Sequence, residues 1–267
     1  MVLQLCPAAE ADADEIASLH LMSFNSNVLL HAQFPTPASL KGLHTFLSQD
    51  AIRDLQDPGK ALMVVRDTET KRIVSFAKWD LPGPVSQHVD VKWPEGCQQR
   101  FVDEYYEKAE AAKRRVVGHT PYYCKICVPF QCFMPALSIS LVGREIMVLD
   151  TNISLNTPLG FQAPLKHAML TMSIVLTFVG THPDFQGRGA GTMLTEWGLT
   201  RAKSENTPVY LDATIPASKV YQKLGFVAVD GLSMILPGMG KDGGSYIYEE
   251  VSMIQTWDAK IESINEA

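Results

Sequence analysis

The stretch from Leu176 to Thr192, Leu-Thr-Phe-Val-Gly-Thr-His-Pro-Asp-Phe-Gln-Gly-Arg-Gly-Ala-Gly-Thr, constrains the fold more than any other part of the chain. A β-rich run, Ser173 to Thr181, leads into it. A helical stretch leads out, Gly189 to about Ser204, with Met193, Leu194 and Trp197 facing the core. Between them Gly187, Gly189 and Gly191 alternate, so the backbone can turn tightly and its N–H groups can approach a ligand with no Cβ in the way. The helix that follows offers unpaired amides and the positive end of its dipole. Gln186 and Arg188 add side-chain donors. Strand, glycine loop and helix in this order make a seat for a diphosphate.

The ligand classes divide on the residues around that seat. A P-loop is excluded, because no Lys-Ser or Lys-Thr follows the glycines. A dinucleotide fold is the serious rival: Gly187-x-Gly189 opens a helix, and Asp212 ends the next strand near the distance expected of a ribose-binding carboxylate. Against it, His182-Pro183-Asp184-Phe185 separates strand from glycines, and no repeated βαβ units follow.

The remaining pattern is a strand–helix alternation. Val2 to Cys6 reads as a strand, and Asp12 with Glu15 as a capping-box start for a helix to about Phe24. Asn25 to Pro37 reads as a loop, and Ala38 to about Leu55 as a helix. Ala61 to Asp67 and Arg72 to Asp80 form a hairpin. Gln99 to Val117 is an amphipathic helix with a solvated Glu/Lys/Arg face. Val209 to Ala213 is a strand, Ala217 to Leu224 a short helix, and Phe226 to Val229 and Tyr246 to Ile254 are closing strands. This predicts a single α/β or α+β domain.

A chain of 267 residues with 46% apolar and 19% charged residues has the composition of an ordinary globular protein. Its net charge of −6 gives no global attraction to nucleic acid or to an acidic membrane, and suits a partner bearing amines. Five cysteines at irregular spacing are no disulfide framework and point to a reducing compartment. Cys124-Lys-Ile-Cys127 offers two ligands where a zinc site wants four, so no metal is expected. No signal peptide is visible, and no apolar run approaches the ~20 residues a membrane span needs. The expected location is the cytoplasm.

The loop and a second segment together carry a resemblance. Gln186-Gly-Arg-Gly-Ala-Gly191 is similar to the Gln/Arg-x-x-Gly-x-Gly/Ala signature of the GNAT superfamily of N-acetyltransferases. Tyr221-Gln-Lys-Leu-Gly-Phe226 resembles that family's Tyr-x-Lys-x-Gly-Phe segment, at the expected distance. The phrasing around both motifs is most like that of filamentous-fungal members. The resemblance implies a GNAT-like mixed, mostly antiparallel sheet flanked by helices. It also implies transfer of an acetyl group from acetyl-CoA, as co-substrate, to a small-molecule or peptide amine by direct attack. The alternative from another class is a non-catalytic acyl-CoA-binding module.

Roles follow from the same resemblance. The strand at Val179 and Thr181 would pair with the pantetheine amides, and Gln186, Gly187, Arg188, Gly189, Ala190, Gly191 and Thr192 would hold the diphosphate. Ser218 would contact pantetheine or serve as a helix-start hydroxyl. Tyr221 would be the general acid for the departing thiolate. Many relatives carry a basic Glu on the strand before the glycines, where Leu176 to Thr181 has no carboxylate. Asp212 is the best substitute, with His182 or a water chain behind it. The acceptor pocket would form from about Phe24 to Leu43 and Gly231 to Tyr248, whose few charges favour an apolar or aromatic amine. Oligomeric state is not legible.

Residues 124–175 interrupt the family pattern as a non-core insertion, and their possible codons match a retained intron. Cys124-Lys125 can hold a donor-like GTAAG, Leu170-Thr171 a branch-point-like CTGAC, and Ile174-Val175 an acceptor TAG. Excision keeps frame and joins Tyr123 to Leu176 through one Phe or Leu codon. The other reading is a surface insertion peculiar to this lineage.

Overall fold

The computed structural model describes residues 2–82, 92–118 and 173–257. All of them belong to one unit, which the chain enters before and after residues 119–172. Strand β1 (Leu3–Pro7) is followed by a 3-10 turn and helix α1 (Ala13–Ser23), then α2 (Val28–Gln33) and α3 (Pro37–Gln56). The hairpin β2 (Lys60–Asp67) and β3 (Ile73–Asp80) precedes α4 (Gln99–Val117). After the undescribed segment come β4 (Ile174–Thr181), α5 (Ala190–Ser204), β5 (Val209–Thr214), α6 (Ile215–Lys223), β6 (Val227–Leu236) and β7 (Tyr246–Gln255).

The described strands make a seven-stranded sheet in the order β1-β2-β3-β4-β5-β7-β6. Every neighbouring pair is antiparallel except β4 and β5, which run parallel. That mixed sheet bears out the expected fold class. It overturns the dinucleotide alternative, whose sheet is built from parallel βαβ units.

Helix α5 covers one face. Leu194 and Ala202 pack there with Trp79, Leu211 and Met253. The approach is close because residue 198 is glycine: a Cβ would stand 2.2 Å from the Trp79 ring. The opposite face carries α1 and α3 over β2 and β3, through Ile16, Leu19, Ala51, Val64 and Phe76. It also carries α2 and α4 over the β6–β7 hairpin, through Leu29, Phe101, Leu232, Met234 and Tyr248. Strand parity makes this possible: along β5 and β7, Leu211, Ala213, Val251 and Met253 belong to the α5 side, leaving Asp212, Glu250 and Ser252 for the other.

Four local expectations change. Asn25 to Pro37 is not all loop, because Asn27 accepts from the amides of Leu29 (2.8 Å) and Leu30 (3.4 Å) and so starts α2. Asp12 and Glu15 form no capping box. Asp12 instead accepts from Ala9 N (2.8 Å) and Arg66 (2.6 Å), and Glu15 from Ile73 N (2.9 Å), so tertiary partners have taken both carboxylates. Helix α3 does have its box, between Thr36 and Ser39, one residue earlier than expected and with Pro37 at its first position. The proposed insertion also ends sooner than residue 175. Ile174 and Val175 are buried, at 0% and 6% exposure, and pair with Val209 and Tyr210. The rest of that segment, Cys124 and Cys127 included, lies outside the described residues.

Candidate active site

Strands β4 and β5 pair only at Ile174–Val209, Val175–Tyr210 and Leu176–Leu211. Beyond those three pairs β4 continues to Thr181 against β3 alone, while β5 continues to Thr214 against β7. The divergence begins at a bulge: the β3–β4 register slips between Lys78 and Trp79, leaving Thr177 extra and exposed, its hydroxyl donating to the Lys78 carbonyl at 3.0 Å. A bulge bends its strand and increases its twist. The edge of β4 that would face β5 therefore opens into a cleft of about 1000 Å³.

The glycine loop closes one end of that cleft. Gly187 and Gly189 have φ of +72° and +86°, a left-handed backbone that side chains with a Cβ adopt at a cost, and a Cβ on either would point into open space. Gly189 is the residue preceding α5, so the loop aims its amides and the helix terminus at the same space. These residues fit a diphosphate, and the open strand edge fits an amide-bearing arm beside it.

Of the residues expected at the site, Val179, Thr181, Gln186, Gly187, Gly189, Ala190, Gly191, Thr192 and Tyr221 all line the cleft. Three do not. The Arg188 guanidinium lies 5.1 Å over the Phe185 ring. Ser218 is buried inside α6 and donates to the Ile215 carbonyl at 2.8 Å; it is not the helix-start residue, which is Thr214. Asp212 is held at one carboxylate oxygen by Tyr210 (2.8 Å) and Ser252 (2.6 Å). Burial pushes its carboxyl up, against those hydrogen bonds and the Lys113 charge. His182, the second candidate base, accepts from Asp184 N at 3.2 Å and is not part of the lining.

Tyr221 packs edge-on against Phe226, and burial pushes its phenol up to about 12. It keeps its proton at any working pH.

A group of residues that no motif marks reaches the far wall through Tyr248. Tyr248 lines the cleft and donates to Glu250 Oε1 at 2.5 Å; Tyr105 of α4 donates to Glu250 Oε2 at 3.1 Å. Glu250 is 7% exposed, and burial pushes its carboxyl up to about 7, against those two hydrogen bonds, with Asp212 adding repulsion. A carboxyl raised in the folded state costs stability once ionised. That cost grows as pH rises from the ordinary 4.5 to about 7 and is complete above it. Glu250→Gln should therefore be the more stable protein at pH 8, by about 3 kcal/mol, and equal to the parent at pH 4.5. Urea unfolding at both values measures this; a difference independent of pH would show that Glu250 ionises at its ordinary value.

The sheet, the opened β4–β5 seam and the glycine loop give a mixed α/β fold with a cleft at the start of α5. Residues 144–228 match the sequence model of the family described as acetyltransferase (GNAT) domain, a range that includes β4, the loop, α5, β5 and α6. A solved structure described as histone acetyltransferase HPA2 and related acetyltransferase from Corynebacterium glutamicum is 19% identical, with TM-score 0.52, covering 97% of this chain and 98% of that one. The C-terminal condensation domain of Ebony, solved with beta-alanyl-dopamine, is 13% identical with TM-score 0.54, covering 96% and 100%. No curated protein sequence matches the chain. Over residues 144–228 the chain is similar to the GNAT acetyltransferases, and the solved structures share its fold. Among the described residues no group of three or more His, Cys, Asp or Glu could hold a metal ion, and no helix is long and apolar enough to cross a membrane.

Proposed function

We propose that this protein moves an acetyl group from acetyl-CoA to a primary amine by direct attack, with no covalent enzyme intermediate. The observation that carries this reading is the continuity of the cleft: the open edge of β4 leads from the left-handed glycines to Tyr221 and on to Phe24, Val28, Ile247 and Tyr248. A diphosphate fits the first part and a thioester arm the second. Bound there, acetyl-CoA supplies the activated acyl carbon; the chain's own residues seat it, exclude water and manage protons. The aromatic and aliphatic lining of the last part suits an apolar or aromatic amine.

CoA should raise stability by about 2.7 kcal/mol at a hundredfold excess over its dissociation constant, and NAD should not. Gly189→Val should abolish the gain, because its Cβ enters the space the loop opens onto and its backbone resists φ of +86°. Retention of full CoA affinity by that variant would refute the cradle. Release of free thiol from acetyl-CoA with a panel of aliphatic and aromatic amines then tests transfer. A protein that binds CoA and turns over no amine would be an acyl-CoA-binding module.

A further inference from the structure

We propose that Tyr248 and Glu250 remove the proton from the amine acceptor, with Tyr248 meeting the amine and Glu250 acting through it. The inference rests on the acetyl-transfer reading above and supplies the base that the β4 strand lacks. An amine reaches a protein at neutral pH as an ammonium ion and has no lone pair for attack until a proton leaves.

The position follows from register. Glu250 lies opposite Thr214, at the end of β5 and beyond the last β4–β5 pair at Leu211, so it stands alongside the opened part of the seam. Tyr248, two residues further out on the same strand face, brings its phenol to the cleft lining. Its oxygen accepts from Asn27 Nδ2 at 3.4 Å while its own proton points to Glu250 Oε1 at 2.5 Å. Asn27 also lines the cleft, so the phenol oxygen is aimed and its proton is already committed to the carboxylate.

The step balances with one proton. An ammonium N–H gives its proton to Tyr248 Oη as the Tyr248 proton passes to Glu250 Oε1. The freed nitrogen pair attacks the acyl carbon and the C–S bond breaks; the leaving thiolate takes the Tyr221 proton, the second proton shed by the nitrogen restores Tyr221, and Glu250 returns its own proton to solvent by the reverse path. The titratable groups facing Glu250 are Tyr248 on its own strand, Tyr105 from α4 and Asp212 from β5. Its β6 neighbour is the apolar Leu232. Lys113 of α4 acts on Asp212. Tyr105 fixes the second carboxylate oxygen, leaving Oε1 to the relay. Asp212 is bonded to Tyr210 and Ser252, neither of which lines the cleft, whereas Glu250 is bonded to Tyr248, which does; the role therefore falls to Glu250.

The test compares the full chain with Glu250→Gln and Tyr248→Phe on two acceptors, 2-phenylethylamine, an ammonium ion at pH 7, and O-benzylhydroxylamine, which is neutral there. With the ammonium substrate both variants should lose about 10²-fold in kcat/KM at pH 7, and the deficit should shrink as pH approaches the amine's own pKa. With the neutral substrate the loss should be small. CoA-induced thermal stabilisation should be unchanged in both. Losses equal for the two acceptors and flat with pH would make the pair structural, and full activity would leave it no role. If Gln at position 250 prevents folding, Tyr248→Phe gives the same readout with the carboxylate in place. Failure of the unaltered protein to acetylate either acceptor while still binding CoA would instead sink the transfer reading, and this one with it.

Discussion

Tyr221→Phe is expected to lower turnover by about 10²–10⁴ while leaving CoA affinity nearly intact. The expected loss is toward the lower end. A phenol raised to about 12 by burial gives its proton reluctantly to a thiolate whose own pKa is near ~8.5. Its stronger contribution is a hydrogen bond to the sulfur as negative charge gathers there, which a buried donor makes well because little water competes. The ring is retained in Phe, so the edge-on contact with Phe226 survives and the fold is not at issue. Single-turnover measurement at saturating amine isolates the step, with CoA binding followed separately by thermal shift. Unchanged chemistry under those conditions would return Tyr221 to packing alone.

The second large effect is expected from removing a fifth of the chain. We infer that residues 124–175 are translated intron, the start of the family match at residue 144 notwithstanding, with Ile174 and Val175 standing in for the native start of β4, and that a chain joining Tyr123 to Leu176 through one Leu folds cooperatively and binds CoA at least as well as the full one. The described residues on either side make the join short. Near the end of α4, Arg115 bonds to Asp230 of β6 at 2.6 Å and lies near Tyr210 of β5. Tyr210 is the residue beside which Val175 of β4 lies. The six residues Gly118 to Tyr123 can span about 20 Å when extended, so α4 can feed β4 directly. In the joined chain Tyr123 and Leu take the strand positions of Ile174 and Val175. The local cost is the bulkier Tyr at the buried Ile174 position, about 1–3 kcal/mol if nothing moves. A shortened chain that fails to fold, or a transcript that retains the segment as its sole form, would overturn the inference.

The parts of the site carried by backbone were legible in the sequence, because glycine spacing and strand–helix order leave few conformations open. The tight turn that the alternating glycines implied is made by left-handed Gly187 and Gly189, and α4 and α5 begin and end within a residue of the periodic reading. What the sequence concealed was side-chain parity across strands distant in the chain. Tyr248, Glu250 and Ser252 alternate on one face, yet the reading of 246–254 as a closing strand did not settle which face was interior. The α4 contribution, Tyr105, sits 145 positions from Glu250, a separation no local pattern reports. Asn27 was lost for a related reason: a six-residue helix is too short to show a period, and its cap was taken for loop. Asp212 drew attention as the carboxylate on the strand after the motif, and only its partners Tyr210 and Ser252 reveal that its Oδ1 is engaged.

The three-pair join between β4 and β5 has a consequence for the life of the protein outside its reaction. Past Leu176 and Leu211 the sheet carries two inward-turned edges, each able to accept a strand that the fold does not provide. An acyl donor seated there, as proposed, would cap those edges and tie the β1–β4 block to the β5–β7 block. Its absence leaves the two blocks joined by three residue pairs and by the helices packed across them. Ligand supply would then govern how often the seam parts and how much adhesive backbone is shown to other chains. Abundance in a cell would track the acyl-donor pool through quality control as well as through catalysis.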